Sequence, residues 1–210
     1  MVLDRFRPAA DRLLVPVAQR LTKVNPNAVS WAALLTAIAA GVSFYRGGAW
    51  FLIYALVLTL ASAYLDALDG RIARLANKAS ARGDFIDHVF DRYADVFLLG
   101  GVAFSVYCGL GVGLLAIVGV LLTSYMGTQA QAVGQGRRYA GLLGRADRLV
   151  LLFLGGLVQL LAAPAGGVLW GIGAVVFQPL EWFMILFAVL GNLTAVQRAV
   201  GVWRGFGVPP

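Results

Sequence analysis

The chain has 210 residues, is 60% hydrophobic and only 13% charged, and carries a formal charge of +7. Ordinary soluble domains are about 45–50% apolar and about 25% charged, so this composition excludes one and requires a bilayer, where a spanning helix takes about 20 apolar residues. The lone cysteine, Cys108, excludes an internal disulfide.

Read in chain order, residues 1–24 form a juxtamembrane amphipathic segment, and 25–210 a single domain of six transmembrane helices. In the first segment Leu3, Phe6, Leu13, Leu14, Val17 and Leu21 alternate with Arg5, Arg7, Arg12, Arg20 and Lys23. Pro8 and Pro16 interrupt it, so one or two short surface helices are expected, basic side toward anionic headgroups. It lacks the apolar core and small-residue cleavage site of a signal peptide.

Apolar windows predict spans near 28–45, 49–68, 85–107, 110–134, 147–163 and 179–202. Breaks fall at "YRGG" (45–48), "CGLGVG" (108–113) and "APAGG" (163–167), and Pro179 suits a first helical position. The stretch 168–177 is too short to span and is expected at the interface. Lys and Arg gather before span one, between spans two and three (Arg71, Arg74, Lys78, Arg82), between four and five (Arg137, Arg138, Arg145, with Arg148 just inside span five) and at the C-terminal end (Arg198, Arg204). Six spans place all of these on one side and leave Arg46 alone on the other. By the positive-inside rule both termini face the cytoplasm. This asymmetry accounts for the positive charge without nucleic acid.

Six of the ten acidic residues lie between Tyr64 and Asp95. Asp66 and Asp69 share a helix face at i,i+3, as do Asp87 and Asp91 at i,i+4. Each carboxylate costs about 2.5–3.5 kcal/mol at the bilayer centre, so four together cost on the order of 10 kcal/mol unless compensated. Pairing with Arg71, Arg74, Arg82 or Arg92 is the ordinary remedy for one of them. For four at this spacing, two hard divalent cations with carboxylate ligands are the better remedy. Asp84 in "GDFID" reads as a helix N-cap. Asp95 lies deepest and reads as a core hydrogen-bonding group. His88 reads as a packing residue pointing off the ligand face.

The run Asp66-x-x-Asp69-Gly70-x-x-Ala73-Arg74, eight residues, then Gly83-x-x-x-Asp87-x-x-x-Asp91 resembles the signature of the CDP-alcohol phosphotransferases at every fixed position. "NPNAVSW" at the start of span one is similar to that family's "PN" segment, and the resemblance covers the whole chain. It implies membrane enzymes that move a phosphatidyl-type group from a CDP-linked lipid to an alcohol and release CMP, with two Mg²⁺ or Mn²⁺ ions, as homodimers. By that resemblance Asp66, Asp69, Asp87 and Asp91 hold the metals and Asp91 is the general base. Asp69, Gly70, Ala73, Arg74, Gly83, Pro26 and Asn27 bind the CDP moiety. Asn77 and Lys78 fall in the variable spacer, within reach of the nucleotide.

The acceptor is read from "GQGRRYAGLLGRADRL" (134–149) and "VQRAVGVWR" (196–204). Arg137, Arg138, Arg145, Arg148 and Arg198 are more guanidinium than a neutral alcohol needs and suit an acceptor with its own phosphate, which Arg reads bidentately; Arg138, Arg145, Arg148 and Arg198 are the expected acceptor-phosphate residues. The segments resemble the inositol-phosphate-using branch. "SYMGTQAQAVG" keeps Ser124, Tyr125 and Ala130 but has Gly127 and Gln129 where that branch is basic. Glycerol-3-phosphate is the alternative acceptor. A divalent-cation transporter is the alternative of another class, but the far side offers only Glu181, which reads as a first-turn acid at the outer interface. A membrane scaffold gives no reason for Gly70, Ala73 and Gly83 beside the acids.

Overall fold

The computed structural model describes residues 7–136, 144–162, 170–172 and 175–206. Among these, seven helices and one hairpin follow in order: α1 (Arg7–Arg20), α2 (Pro26–Arg46), α3 (Ala49–Leu75), α4 (Ala81–Ala103), α5 (Leu110–Ala132), α6 (Arg145–Ala162), β1 (Trp170–Ile172), β2 (Val175–Phe177) and α7 (Pro179–Gly205). Four of them, α2, α3, α5 and α7, are long and apolar enough to cross a membrane. With the family evidence below, this makes the chain a multi-pass membrane protein. The charges of α4 and α6 keep them below that threshold by composition. The chain forms two compact units, Val2–Gly101 and Val102–Pro210.

In the first unit, of the one or two helices expected, one is formed over Arg7–Arg20, and it runs through Pro16. Proline in a helix interior forfeits a hydrogen bond, at about 3 kcal/mol. Pro16 sits on the exposed face, while Leu14 and Ala18 on the other face bury against Val29, Leu68 and Ile72. α2 starts on Asn25, whose side chain accepts the Asn27 N–H at 3.0 Å, with Pro26 as its first residue. It stops at Gly47 and Gly48, which have φ of 66° and 82°, a region that excludes most side chains. α2 and α4 approach backbone to backbone: a Cβ on Gly41 would overlap the Phe97 carbonyl, and one on Gly101 the Gly41 carbonyl. Trp31 and Phe90 meet edge to face between the same helices, ring centroids 4.6 Å apart. Ser62 Oγ donates to Ala33 O at 2.9 Å, joining α3 to α2.

α3 runs seven residues past its predicted end. Its 27 residues make about 40 Å of helix, more than the ~30 Å hydrocarbon core, so the turns holding Asp66–Arg74 reach beyond a span's needs. It closes in a Schellman motif. Asn77, at φ 53°, occupies the left-handed position, its N–H donates to Arg74 O, and the Lys78 N–H donates to Ala73 O at 2.8 Å. α4 then begins four residues earlier than predicted. Its cap is Ser80, not Asp84: Ser80 Oγ accepts the Gly83 N–H at 3.1 Å, and the Ser80 carbonyl accepts the Asp84 N–H at 3.0 Å. Asp84 lies inside the first turn. Ser and Asp are equally good caps, so residue type alone does not choose between Ser80 and Asp84. Ser80→Ala should therefore lower stability by about 1 kcal/mol, read as a Tm decrease of the full chain, and Asp84→Asn should not.

In the second unit, α5 and α7 are fastened by a row of side-chain bonds to backbone. Asn192 Nδ2 donates to Leu115 O at 3.1 Å, Thr123 Oγ1 to Gly191 O at 2.8 Å, and Arg198 Nη1 to Thr123 O at 2.6 Å. Gly119 and Gly191 let the two backbones touch, the small-residue packing that bilayers favour. Gln159 on α6 accepts the Leu180 N–H at 3.1 Å, and its amide donates to Gln178. That bond satisfies an N–H otherwise orphaned at the start of α7. Glu181 is more than a first-turn acid: it is buried and accepts the Gly109 N–H at 2.8 Å, where α5 starts. Burial, then the Glu181 charge, pushes the neighbouring Cys108 thiol up to about 12. Within the stretch 168–177, the described residues form β1 and β2, paired antiparallel with Trp170 opposite Phe177. The predicted break at 163–167 lies outside the described residues.

Candidate active site

The ends of α2, α3 and α4 surround an open cleft. Pro26, Asn27 and Ser30 line it from α2, Asp69, Gly70, Ala73 and Arg74 from α3, Lys78, Ala79 and Ser80 from the connection, and Gly83, Asp84 and Asp87 from α4. All seven residues read from the sequence as CDP-binding are here together. The helical period explains the selection: Asp69, Gly70, Ala73 and Arg74 fall at i, i+1, i+4 and i+5, one stripe of α3.

Ser30, which sequence reasoning passed over, is part of this wall. Its Oγ donates to Asp69 Oδ2 at 2.5 Å, and Asp69 is buried. One turn after Pro26, Ser30 shares the face of the "PN" segment, which was the available signal. Asp66 and Asp87 both lie close enough for their charges to act on Asp69. Neither Asp66 nor Asp91 lines the cleft itself.

On α4, one donor atom from each of Asp87, His88 and Asp91 can be chosen so that all lie within 4.8 Å of one another. His88 is thus not a packing residue turned off the acidic face. Its Nε2 lies 3.8 Å from Asp84 Oδ1 and its Nδ1 3.6 Å from Asp87 Oδ2. Helical side chains lean toward the N-terminus, which brings His88 back over the turn that holds Asp84. The donor set is mainly hard carboxylate oxygen and fits a Mg²⁺- or Mn²⁺-type cation. Arg92 flanks it, Nη2 at 3.4 Å from Asp91 Oδ2 and 3.8 Å from Asp95 Oδ2. Asp95 is buried, as its deep placement predicted.

Gly70 and Gly83 differ in kind from Gly41 and Gly101. A methyl on Gly70 would meet the Arg74 guanidinium at 3.6 Å, and one on Gly83 would meet Ser80 Oγ at 3.4 Å. Both are ordinary contacts, so internal packing does not demand glycine at either place.

The arginines read as acceptor-binding belong to the second unit. Arg148 and Arg198 are buried, at 5% and 9% exposure, and Arg145 is half-buried. Arg145 opens α6, with Asp147 reaching back to accept the Gly144 N–H at 3.1 Å, the second half of a capping box. Arg138 lies outside the described residues, as does Arg137.

A family model described as CDP-alcohol phosphatidyltransferase matches residues 23–191. The archaetidylinositol phosphate synthase of Methanothermobacter thermautotrophicus is 30% identical over 97% of this chain and 95% of its own. The phosphatidylinositol phosphate synthase of Cutibacterium acnes is 31% identical over 97% and 98%. Among solved structures, the phosphatidylinositol phosphate synthase of Mycobacterium tuberculosis, crystallised with CDP-DAG bound, superposes with a TM-score of 0.73 at 24% identity, covering 91% of this chain and 94% of that one. This last likeness concerns the fold.

Proposed function

This chain belongs to the CDP-alcohol phosphatidyltransferase family, and from that premise we propose that it transfers a phosphatidyl-type group from a CDP-linked lipid to inositol phosphate, releasing CMP. The observation that carries the donor half is the cleft. It gathers Pro26, Asn27, Asp69, Gly70, Ala73, Arg74 and Gly83, and leaves at Gly70 and Gly83 two open places that protein packing does not use. A nucleotide approaching the backbone would use them. Arg74 offers a charge-assisted hydrogen bond to a phosphate oxygen.

Asp66, Asp69, Asp87 and Asp91 would hold two divalent cations, with His88 at their edge. Bound there, the cations supply charge stabilisation to the diphosphate and the departing CMP. Ser30 keeps the Asp69 carboxylate turned into the cleft through its hydrogen bond. Asp91 takes the acceptor's hydroxyl proton, and Arg92 beside it fixes one carboxylate oxygen. Direct displacement leaves no covalent lipid on the enzyme.

Three things support the inositol phosphate half: the names of the relatives, the "GRADRL" segment, and the burial of Arg148 and Arg198. Buried guanidiniums are not headgroup anchors, and a phosphate monoester of about −1.5 to −2 charge is a fitting partner. Arg145 and Arg138 complete the proposed set. The same reading takes α1 and residues 1–24 as the surface segment, α4 and α6 as the remaining two of six spans, and the protein as a homodimer. The Lys and Arg asymmetry supports a cell-membrane protein with both termini and the active site cytoplasmic.

The test is CMP release from CDP-lipid in liposomes against inositol phosphate, glycerol-3-phosphate, free inositol and serine. Inositol phosphate should give the highest kcat/KM. Arg145→Ala, Arg148→Ala and Arg198→Ala should each raise acceptor KM by about ten-fold and leave the KM for CDP-lipid near its starting value. A faster unphosphorylated acceptor, or three unchanged acceptor KM values, would refute the assignment.

A further inference from the structure

The protein has two lysines, Lys23 and Lys78, against fifteen arginines. Both line a second pocket, together with Asn25, Pro26, Asn27 and Ser80. It shares Pro26, Asn27, Lys78 and Ser80 with the first cleft. Lys78 Nζ donates to Thr22 O at 3.0 Å and to Val24 O at 3.4 Å, two carbonyls in the α1–α2 connection. The α3–α4 connection is thereby tied to the α1–α2 connection across more than fifty residues of sequence.

We infer that Lys78 is a positioning residue for the nucleotide donor: its ammonium straps the Thr22–Val24 segment to the end of α3 and so holds Pro26 and Asn27 at their places in the cleft wall. The strap is anchored at its root. The Schellman closure fixes the Lys78 backbone through its bond to Ala73 O, and Ala73 is itself a wall residue of the cleft. At its far end Thr22 and Val24 lie two to four residues before Pro26, a distance over which backbone placement is inherited. An ammonium suits the task because it has three donors, and two carbonyls use only two. The assignment rests on the nucleotide reading of the cleft.

The test compares Lys78→Met and Lys78→Arg with the unaltered full chain in lipid nanodiscs. Two readouts are taken: amide hydrogen exchange over residues 21–27, with and without CMP, and KM for CDP-lipid and for inositol phosphate. Lys78→Met should speed exchange over 21–27 and raise the KM for CDP-lipid about ten-fold, with acceptor KM unchanged. Lys78→Arg, whose fork still reaches two carbonyls, should restore most of both. Unchanged exchange in Lys78→Met overturns the strap, even if KM rises, because Lys78 then acts by touching substrate alone. Faster exchange with an unchanged KM for CDP-lipid overturns its role in donor positioning. If the unaltered protein neither releases CMP from CDP-lipid nor shows CMP-dependent protection at 21–27, the nucleotide reading fails. The exchange difference between the variants still judges the tie between the two connections in that case.

Discussion

Asp66→Asn, Asp69→Asn, Asp87→Asn and Asp91→Asn should each lower kcat by about 10³-fold or more while leaving the protein folded and inserted. The size follows from the charge at stake. Cation stabilisation of a departing phosphate is worth several kcal/mol, and ~4 kcal/mol is about a thousand-fold in rate. Asparagine keeps the side chain's shape and one oxygen, so what is lost is charge. Asp69 is the sharpest case because it is buried between Ser30 and its two acidic neighbours. Asp91→Asn separates the two roles given to that residue. If its essential contribution is to take the acceptor's proton, CMP and CDP-lipid should still bind by calorimetry while turnover stops. Chelator treatment should abolish activity, and Mg²⁺ or Mn²⁺ should return it. An Asp66 or Asp87 variant with most of its activity intact would remove the paired-cation site. His88→Ala, at the edge of the cluster, should cost less than any of the four.

Gly41→Val and Gly101→Val should be the most destabilising changes outside the site. Each puts carbon where a backbone carbonyl of the facing helix already stands, and backbone cannot step aside as a side-chain tip can. Overpacking of this kind costs about 3 kcal/mol, near 10 °C in Tm for a chain of this size. Gly100→Ala, one residue away with nothing within 4 Å of the added methyl, should be neutral or stabilising, since alanine is the better helix former by about 1 kcal/mol. Thermal unfolding of the three variants in one detergent checks the contrast. Equal Tm values would mean that α2 and α4 do not rely on this contact.

The acidic site was legible because its spacing is helical arithmetic. Three and four residues apart are the separations that bring carboxylates onto one face, and Asp69 and Asp87 do meet at one cleft. The errors came where two residues compete for one job. Ser80 and Asp84 can each cap a helix, and only backbone geometry chooses. His88 was assigned by its angular position alone, although an imidazole reaches back a full turn. Pro16 leaves one helix or two open in the sequence, and only the backbone shows that α1 continues through it. The polar residues of the second unit were harder still. Gln159 and Glu181 are spent on N–H groups at helix starts distant in sequence, and no local pattern announces a partner twenty or seventy residues away. Ser30 is intermediate: its place on the Pro26 face could be read, but its bond to Asp69 could not.

The short passage from α3 to α4 has a further consequence. It is pinned at both ends, by the left-handed turn at Asn77 and by the Ser80 cap, with only Lys78 and Ala79 between. Such a passage works as a ruler. A single inserted residue has nowhere to go except outward into the cleft or onto α4, and each residue wound onto a helix rotates everything after it by about 100°. That rotation would carry Asp87 and Asp91 away from Asp69 together. The eight residues between Arg74 and Gly83 are therefore fixed in number, and the phase between two helices is stored in the length of a loop.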